Sequence, residues 1–194
     1  MNSNNLSAAN ISNDMIKNRI VENFKVNLLE RIKNCGAGKK LRTYNLFKHM
    51  IMYEPYLDWI ENTKLRKTYS KFRLSAHELE IEKGRYGVKS IPPEQRICKM
   101  CDQNMVEDEI HFLIACSRYA GERNTIFEDI NKKYPSIKQL PPSEKFIWLM
   151  NHKDKSVTLT LAYFLKIANE IRTNELELQI TSLKKQKQTK ATTK

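Results

Sequence analysis

Ile16, Ile20, Phe24, Leu28 and Ile32 recur at every fourth position near the start of the chain, joined by Val21 and Leu29. This spacing predicts an amphipathic helix from Met15 to about Lys33. Asn34-Cys35-Gly36-Ala37-Gly38 stops it, because glycine accepts the left-handed backbone that closes a helix. A second helix is expected from Leu41 to about Met52. A short third one begins at Glu54–Leu57, with Pro55 in the first turn, where proline is tolerated. The fourth, Asn62 to about Leu74, carries two faces at once. Leu65, Tyr69 and Phe72 line an apolar side; Lys64, Lys67 and Lys71 line a cationic one, and Arg66 and Arg73 form a pair seven residues apart.

The pattern then becomes local. Ser75 with Glu78 three residues on matches a capping box. His77–Glu82 alternates, so strand and short helix compete there. Lys83–Gly87 reads as a turn, and Ile91-Pro92-Pro93 stiffens the approach to Cys98. Glu107-Asp108-Glu109 suits the positive end of a helix whose apolar residues are Ile110, Leu113 and Ile114. His111 and Cys116 fall about 140° apart on a regular helix, so that helix is expected to end at Ala115 or Cys116. Ser117 caps the next one, running through Ile126 and Ile130 towards Lys133. Beyond Pro141-Pro142, Ser143 caps a helix carrying Phe146, Leu149 and Met150. Val157 to about Ile171 forms the last strong helix, with Leu161, Phe164, Leu165 and Ala168 on its apolar face.

Residues 1–13, rich in Asn and Ser, and the polar, lysine-rich residues 179–194 are expected to be disordered. The fold class is mainly α: a small helical domain with a CCHC zinc-knuckle-like module. Its regions are a basic helical part at 14–95, the metal module and its following helix at 96–133, and C-terminal helices at 134–178.

Composition narrows the function. The chain has 194 residues, 40% apolar and 9% aromatic, enough for a core. No apolar run reaches the roughly eighteen residues of a membrane span, and the N-terminus lacks a secretion signal. Four cysteines, three of them close together, fit a reducing compartment, so an intracellular location in nucleus or cytoplasm is expected. Net charge is +12, made of +8 over residues 1–97, −1 over 98–180 and +5 over the last fourteen. Basicity placed this way suits a polyanion such as RNA or DNA. The near-neutral stretch 98–180 leaves room for a protein partner.

Cys98 and Cys101 are two residues apart, His111 comes after nine more and Cys116 after another four. Thiolates and imidazole at paired close spacings are the donor set of a structural Zn2+ site. Three thiolates and one imidazole fill a tetrahedron and leave no position for water or substrate, so the metal implies no catalysis. Cys35 reads as an inert thiol. His49, His77 and His152 read as surface or helix histidines, and Glu78, Glu80 and Glu82 as charges balanced by Arg73, Lys83 and Arg85. Gly36-Ala37-Gly38-Lys39-Lys40 lacks the frame of a phosphate-binding loop. The chain is expected not to be an enzyme.

The segments Lys40–Lys48, Glu54–Leu57, Lys71–Ser75, His77–Tyr86, Arg96–Cys101 and Glu107–Cys116 form an ordered series. It resembles the C-terminal region of reverse transcriptase-like proteins from non-LTR retrotransposons of animals, over about Ile20 to Arg172. In that family the region lies beyond the polymerase and ends in a zinc-knuckle-like module, whose ligand positions Cys98, Cys101, His111 and Cys116 match one for one. The resemblance implies contact with RNA or DNA during target-primed reverse transcription. The Tyr/Phe-x-Asp-Asp polymerase motif and an endonuclease are missing, so no polymerase activity carries over. Ser117 stands where relatives carry proline, which affects the corner and not the ligands.

Together these features imply a zinc-stapled, non-catalytic nucleic-acid-binding module. Lys39, Lys40, Arg42, Lys64, Arg66, Lys67, Lys71 and Arg73 would hold phosphates without reading sequence. The alternatives are a protein-interaction module or an inactive retroelement-derived remnant.

Overall fold

Helix α4 (Thr63–Arg73) shows how the core is set. Asn62 caps it, its Oδ1 accepting from Leu65 N at 3.0 Å, which satisfies one of the amides a helix start leaves unpaired. Leu65, Tyr69 and Phe72 are buried, the face the spacing assigns to the interior. Phe72 meets Phe112 and Phe146 at ring-centroid distances of 6.0 and 6.4 Å. Phe112 in turn contacts Tyr119 and Phe164. Edge-on and tilted ring contacts of this kind hold the centre together.

In this computed structural model, residues 13–34, 40–86 and 89–192 are described. The expectation for residues 1–12 lies outside them, as do Cys35 and Lys39. The architecture is mainly helical. Around α4 stand α1 (Asn13–Lys33), α2 (Tyr44–Phe47), α3 (Tyr56–Trp59), α5 (Glu80–Lys83), α6 (Ala120–Ile126), α7 (Glu128–Lys133), α8 (Pro142–Asn151) and α9 (Lys155–Thr192). Helix α9 is the spine, packing against α3, α4, α6 and α8 with Val157, Leu161, Phe164, Leu165 and Ala168 buried. Asp154 caps it, accepting from Ser156 N at 2.7 Å. Among the described residues the only β-pairing is one antiparallel bridge, Ile97 to Val106. At His77–Glu82 the short helix α5 prevails over a strand.

Several expectations differ from what forms, the second helix among them: expected from Leu41 to about Met52, it is the single turn Tyr44–Phe47. The segment from 179, read as disordered, continues α9 to Thr192: its Leu, Lys and Gln residues favour helix and no glycine or proline interrupts it. Polarity shows instead as exposure, Leu178, Ile180 and Leu183 included. Helix α1 forms as its spacing predicts, yet its apolar face stays open, with Ile16, Ile20 and Phe24 at 46%, 63% and 63% exposed and only Ile32 buried.

Ser75 caps no helix start. It takes φ 50 as the left-handed residue closing α4, with Ala76 N bonded to Lys71 O and Ser75 N to Phe72 O, a C-terminal cap glycine usually serves. Finally, the helix expected after Ser117 is a 3₁₀ turn, Ser117–Tyr119, followed by α6 and α7 with a break at Phe127.

Candidate metal centre

A narrow hairpin presents the first two thiols. Cys98 N donates to Met105 O at 2.8 Å and Glu107 N to Arg96 O at 2.9 Å on either side of the Ile97–Val106 bridge. Asn104, at φ 53, adopts the left-handed backbone near the end of the loop, a conformation asparagine tolerates better than most residues. Within the turn, Met100 N points at Cys98 Sγ, 3.4 Å away. An amide aimed at a sulfur stabilises its negative form, as the outer-shell partners of metal ligands do.

Asp108 starts the helix that carries His111, its Oδ1 accepting from His111 N at 2.7 Å. His111–Ala115 then winds as one π-turn, closed by Cys116 N on His111 O at 2.7 Å. A wider turn rotates less per residue, so positions five apart come closer to one side than on a regular helix. The turn ends at Cys116, as expected from the spacing, but the widening is not legible there. Arg123 secures the exposed end, donating to Leu113 O and Cys116 O, both at 2.8 Å.

These elements bring four donor atoms together. The sulfurs of Cys98, Cys101 and Cys116 and a ring nitrogen of His111 all lie within 4.8 Å of one another. Cys98 Sγ is 3.9 Å from Cys116 Sγ, and Cys101 Sγ is 3.4 Å from His111 Nε2. The thiols are free, Cys98, His111 and Cys116 are buried, and Cys101 is half-buried. The cluster can hold a metal ion. Without one, the Cys98 thiol is pushed up to about 12, first by its hydrogen bond with Cys116 and then by burial. Cys116 is shifted down, chiefly by the same bond.

Behind the cluster lies a buried ionic network that spacing along the chain did not reveal. Glu107 and Glu109 are both 0% exposed. Arg172 Nε and Nη2 donate to the two oxygens of Glu107 at 2.8 and 2.7 Å, and Glu80 N adds a third bond at 2.8 Å. Glu109 receives Arg42, Thr43 Oγ1 at 3.1 Å and Ser75 Oγ at 2.8 Å. His77 Nε2 also lies 2.8 Å from Glu109, but not in hydrogen-bond geometry. Of the acidic run, only Asp108 caps the helix; its neighbours tie the metal hairpin to α4, α5 and α9. The available signal was Arg172, which falls four residues after Ala168 on the buried stripe of α9 and so requires an interior partner.

The sequence-assigned phosphate contacts divide. Lys40, Lys64, Lys67 and Lys71 are exposed. Lys39 lies outside the described residues. Two arginines, Arg42 and Arg73, are corrected, and a third, Arg66, is partly engaged. Arg42 is bound to Glu82 at 2.6 Å and to Glu109, and burial pulls its pKa below the ordinary value against the pull of Glu82. Arg66 donates to Leu57 O and Ile60 O at 3.0 and 3.1 Å. Arg73 is buried against Met150 O and Glu54. Guanidiniums carry five donors, and interior carboxylates and carbonyls claim those of Arg42 and Arg73 before solvent does. Tyr69 and Phe72, read beside these cations, belong to the core.

Among the described residues no helix is long and apolar enough to cross a membrane. Comparison of the chain with protein-family models, with curated proteins and with solved structures finds no match in any of the three.

Proposed function

We propose that the four-donor cluster holds Zn2+ as a structural staple and that the helical body around it binds nucleic acid without catalysis. The observation carrying the metal half is the donor spacing. Tetrahedral Zn2+ with Zn–S near 2.3 Å and Zn–N near 2.0–2.1 Å requires S···S edges of about 3.8 Å and S···N edges of about 3.5 Å. Two of the six edges, Cys98–Cys116 at 3.9 Å and Cys101–His111 at 3.4 Å, are near those lengths, and all four donors lie within 4.8 Å of one another. A zinc-knuckle-like site results, with four protein ligands and no open position.

The nucleic-acid half draws on the cationic face of α4. Lys64, Lys67 and Lys71 recur at i, i+3 and i+7, stand exposed, and form no ion pair among the described residues. With Lys40 and a net charge of +12, they offer phosphate contacts that set position and not sequence. The sequence resemblance to the region beyond a retrotransposon polymerase supports the same class of partner. Fluorescence anisotropy with single-stranded RNA and duplex DNA across salt tests it. Affinity should fall steeply as salt rises, and Lys64→Glu, Lys67→Glu and Lys71→Glu together should abolish most of it. A flat salt response, or undiminished binding by the triple variant, would end this reading.

The open apolar face of α1 favours a second reading, a module that grips a protein partner. In that reading the contact would use Ile16, Ile20 and Phe24, which stand exposed. Association surviving nuclease treatment but lost on Phe24→Asp would support it.

A further inference from the structure

Between the α2–α3 loop, α3, α4 and the end of α8 lies a cavity of about 350 Å³, within the size range of small-molecule sites. Phe47, Tyr56, Trp59 and Tyr69 contribute to its walls, with Met52 and Tyr53 at its rim. Tyr53 is 64% exposed and Met52 55%. Large apolar and aromatic side chains are thus held at an opening that no other described element fills.

The polar chemistry of the cavity is one-sided. Glu54 is its only carboxylate, and that group is taken up by Lys48, by Arg73 Nη2 at 3.0 Å and by Tyr44 Oη at 3.4 Å. Arg73 stacks its guanidinium 4.7 Å from the Phe47 ring centroid and gives Nη1 to Met150 O. Its Nε is buried and donates to nothing. A buried donor without an acceptor is costly and uncommon in native interiors. Lys153, exposed, stands on the lining as well. A ligand suited to these walls is a flat ring with negative charge at its flank.

We propose that this cavity receives one unpaired nucleobase of a single-stranded nucleic acid. The base stacks on the aromatic rim, and the adjoining phosphate meets Lys153. Stacking on aromatic side chains is how single strands are held without sequence preference. The inference rests on the nucleic-acid reading above, and it relocates the aromatic contribution from the buried Tyr69 and Phe72 to Tyr53 and Trp59.

Trp59 provides the readout. In protein carrying Trp148→Phe, its fluorescence is titrated with a short single-stranded oligodeoxynucleotide and with an abasic one of equal length. The base-bearing strand should quench Trp59 and bind at least about fivefold more tightly than the abasic strand. Tyr53→Ala should bring its affinity down to the abasic level. Equal affinities with no quenching would overturn the cavity assignment and leave the lysine face standing. No binding of either strand would overturn both.

Discussion

Arg172 and Glu107, 65 residues apart, face each other through two parallel hydrogen bonds of 2.8 and 2.7 Å in the interior. Burial pulls the Arg172 pKa down, but the bond to Glu107 and the charges of Glu107 and Glu80 hold it above the ordinary arginine value. Glu107 Oε1 also lies 3.9 Å from Cys98 Sγ. One carboxylate thus joins the spine helix to the first metal-ligand candidate, and the site and the fold share a support.

Arg172→Met leaves that carboxylate buried and unpaired, an uncompensated charge that costs on the order of 3–5 kcal/mol. Urea denaturation should show this loss, whereas Arg172→Met combined with Glu107→Gln should regain part of it. If the double variant is no more stable than the single one, the pair does not act as a unit.

Metal removal should loosen the hairpin and the π-turn together. Cys101→Ser should lower bound zinc, measured by elemental analysis, well below one equivalent per chain, and a chelator should lower the melting temperature of the native chain but not of the variant. Binding free energy at such a site is folding free energy. The pH dependence has a fixed sign. The Cys98 proton, held up to about 12 in the metal-free protein, must leave when metal binds. Falling pH therefore weakens binding, and less chelator should suffice at pH 6 than at pH 8.

Asp154 gives a second, metal-independent acid response. Hydrogen bonds from Lys133, Tyr134 and Ser156 hold its carboxyl well below the usual carboxylate range. A group depressed in the folded state contributes stability above its unfolded pKa, near 3.9, and loses it as pH falls towards the folded value. Asp154→Asn should be less stable than the native chain at neutral pH. The gap should close below about pH 4, read from thermal melts across pH.

Ser75 combines a left-handed backbone with an interior bond, its hydroxyl 2.8 Å from Glu109. Ser75→Ala keeps the strained backbone and removes one partner of a buried carboxylate, which should cost about 1–3 kcal/mol. Ser75→Gly relieves the backbone and should be the milder change. Both variants lack the hydroxyl, so the reverse order in chemical denaturation would mean that the left-handed backbone at Ser75 stores little strain.

Helix faces and the donor set were legible in the chain because both depend on short spacings. Leu65, Tyr69 and Phe72 must share a side of any helix they form, and two residues between Cys98 and Cys101 allow a tight turn whatever surrounds it. Cations were legible only as cations. Lys64 and Arg73 stand on the same helix, yet one faces solvent and the other sits under Met150 and Glu54. Nothing local separates them, because the acceptor that claims Arg73 lies in other elements.

The sequence alone therefore determined a mainly helical chain with three thiols and an imidazole at metal-ligand spacing. Tertiary structure decided which charges enter the interior, how a π-turn carries Cys116 towards His111, and that α1 keeps Ile16, Ile20 and Phe24 open. The physical reason is range: periodicity is set by neighbours within a turn or two, whereas a buried charge is stable only where a distant part of the chain supplies its counter-charge.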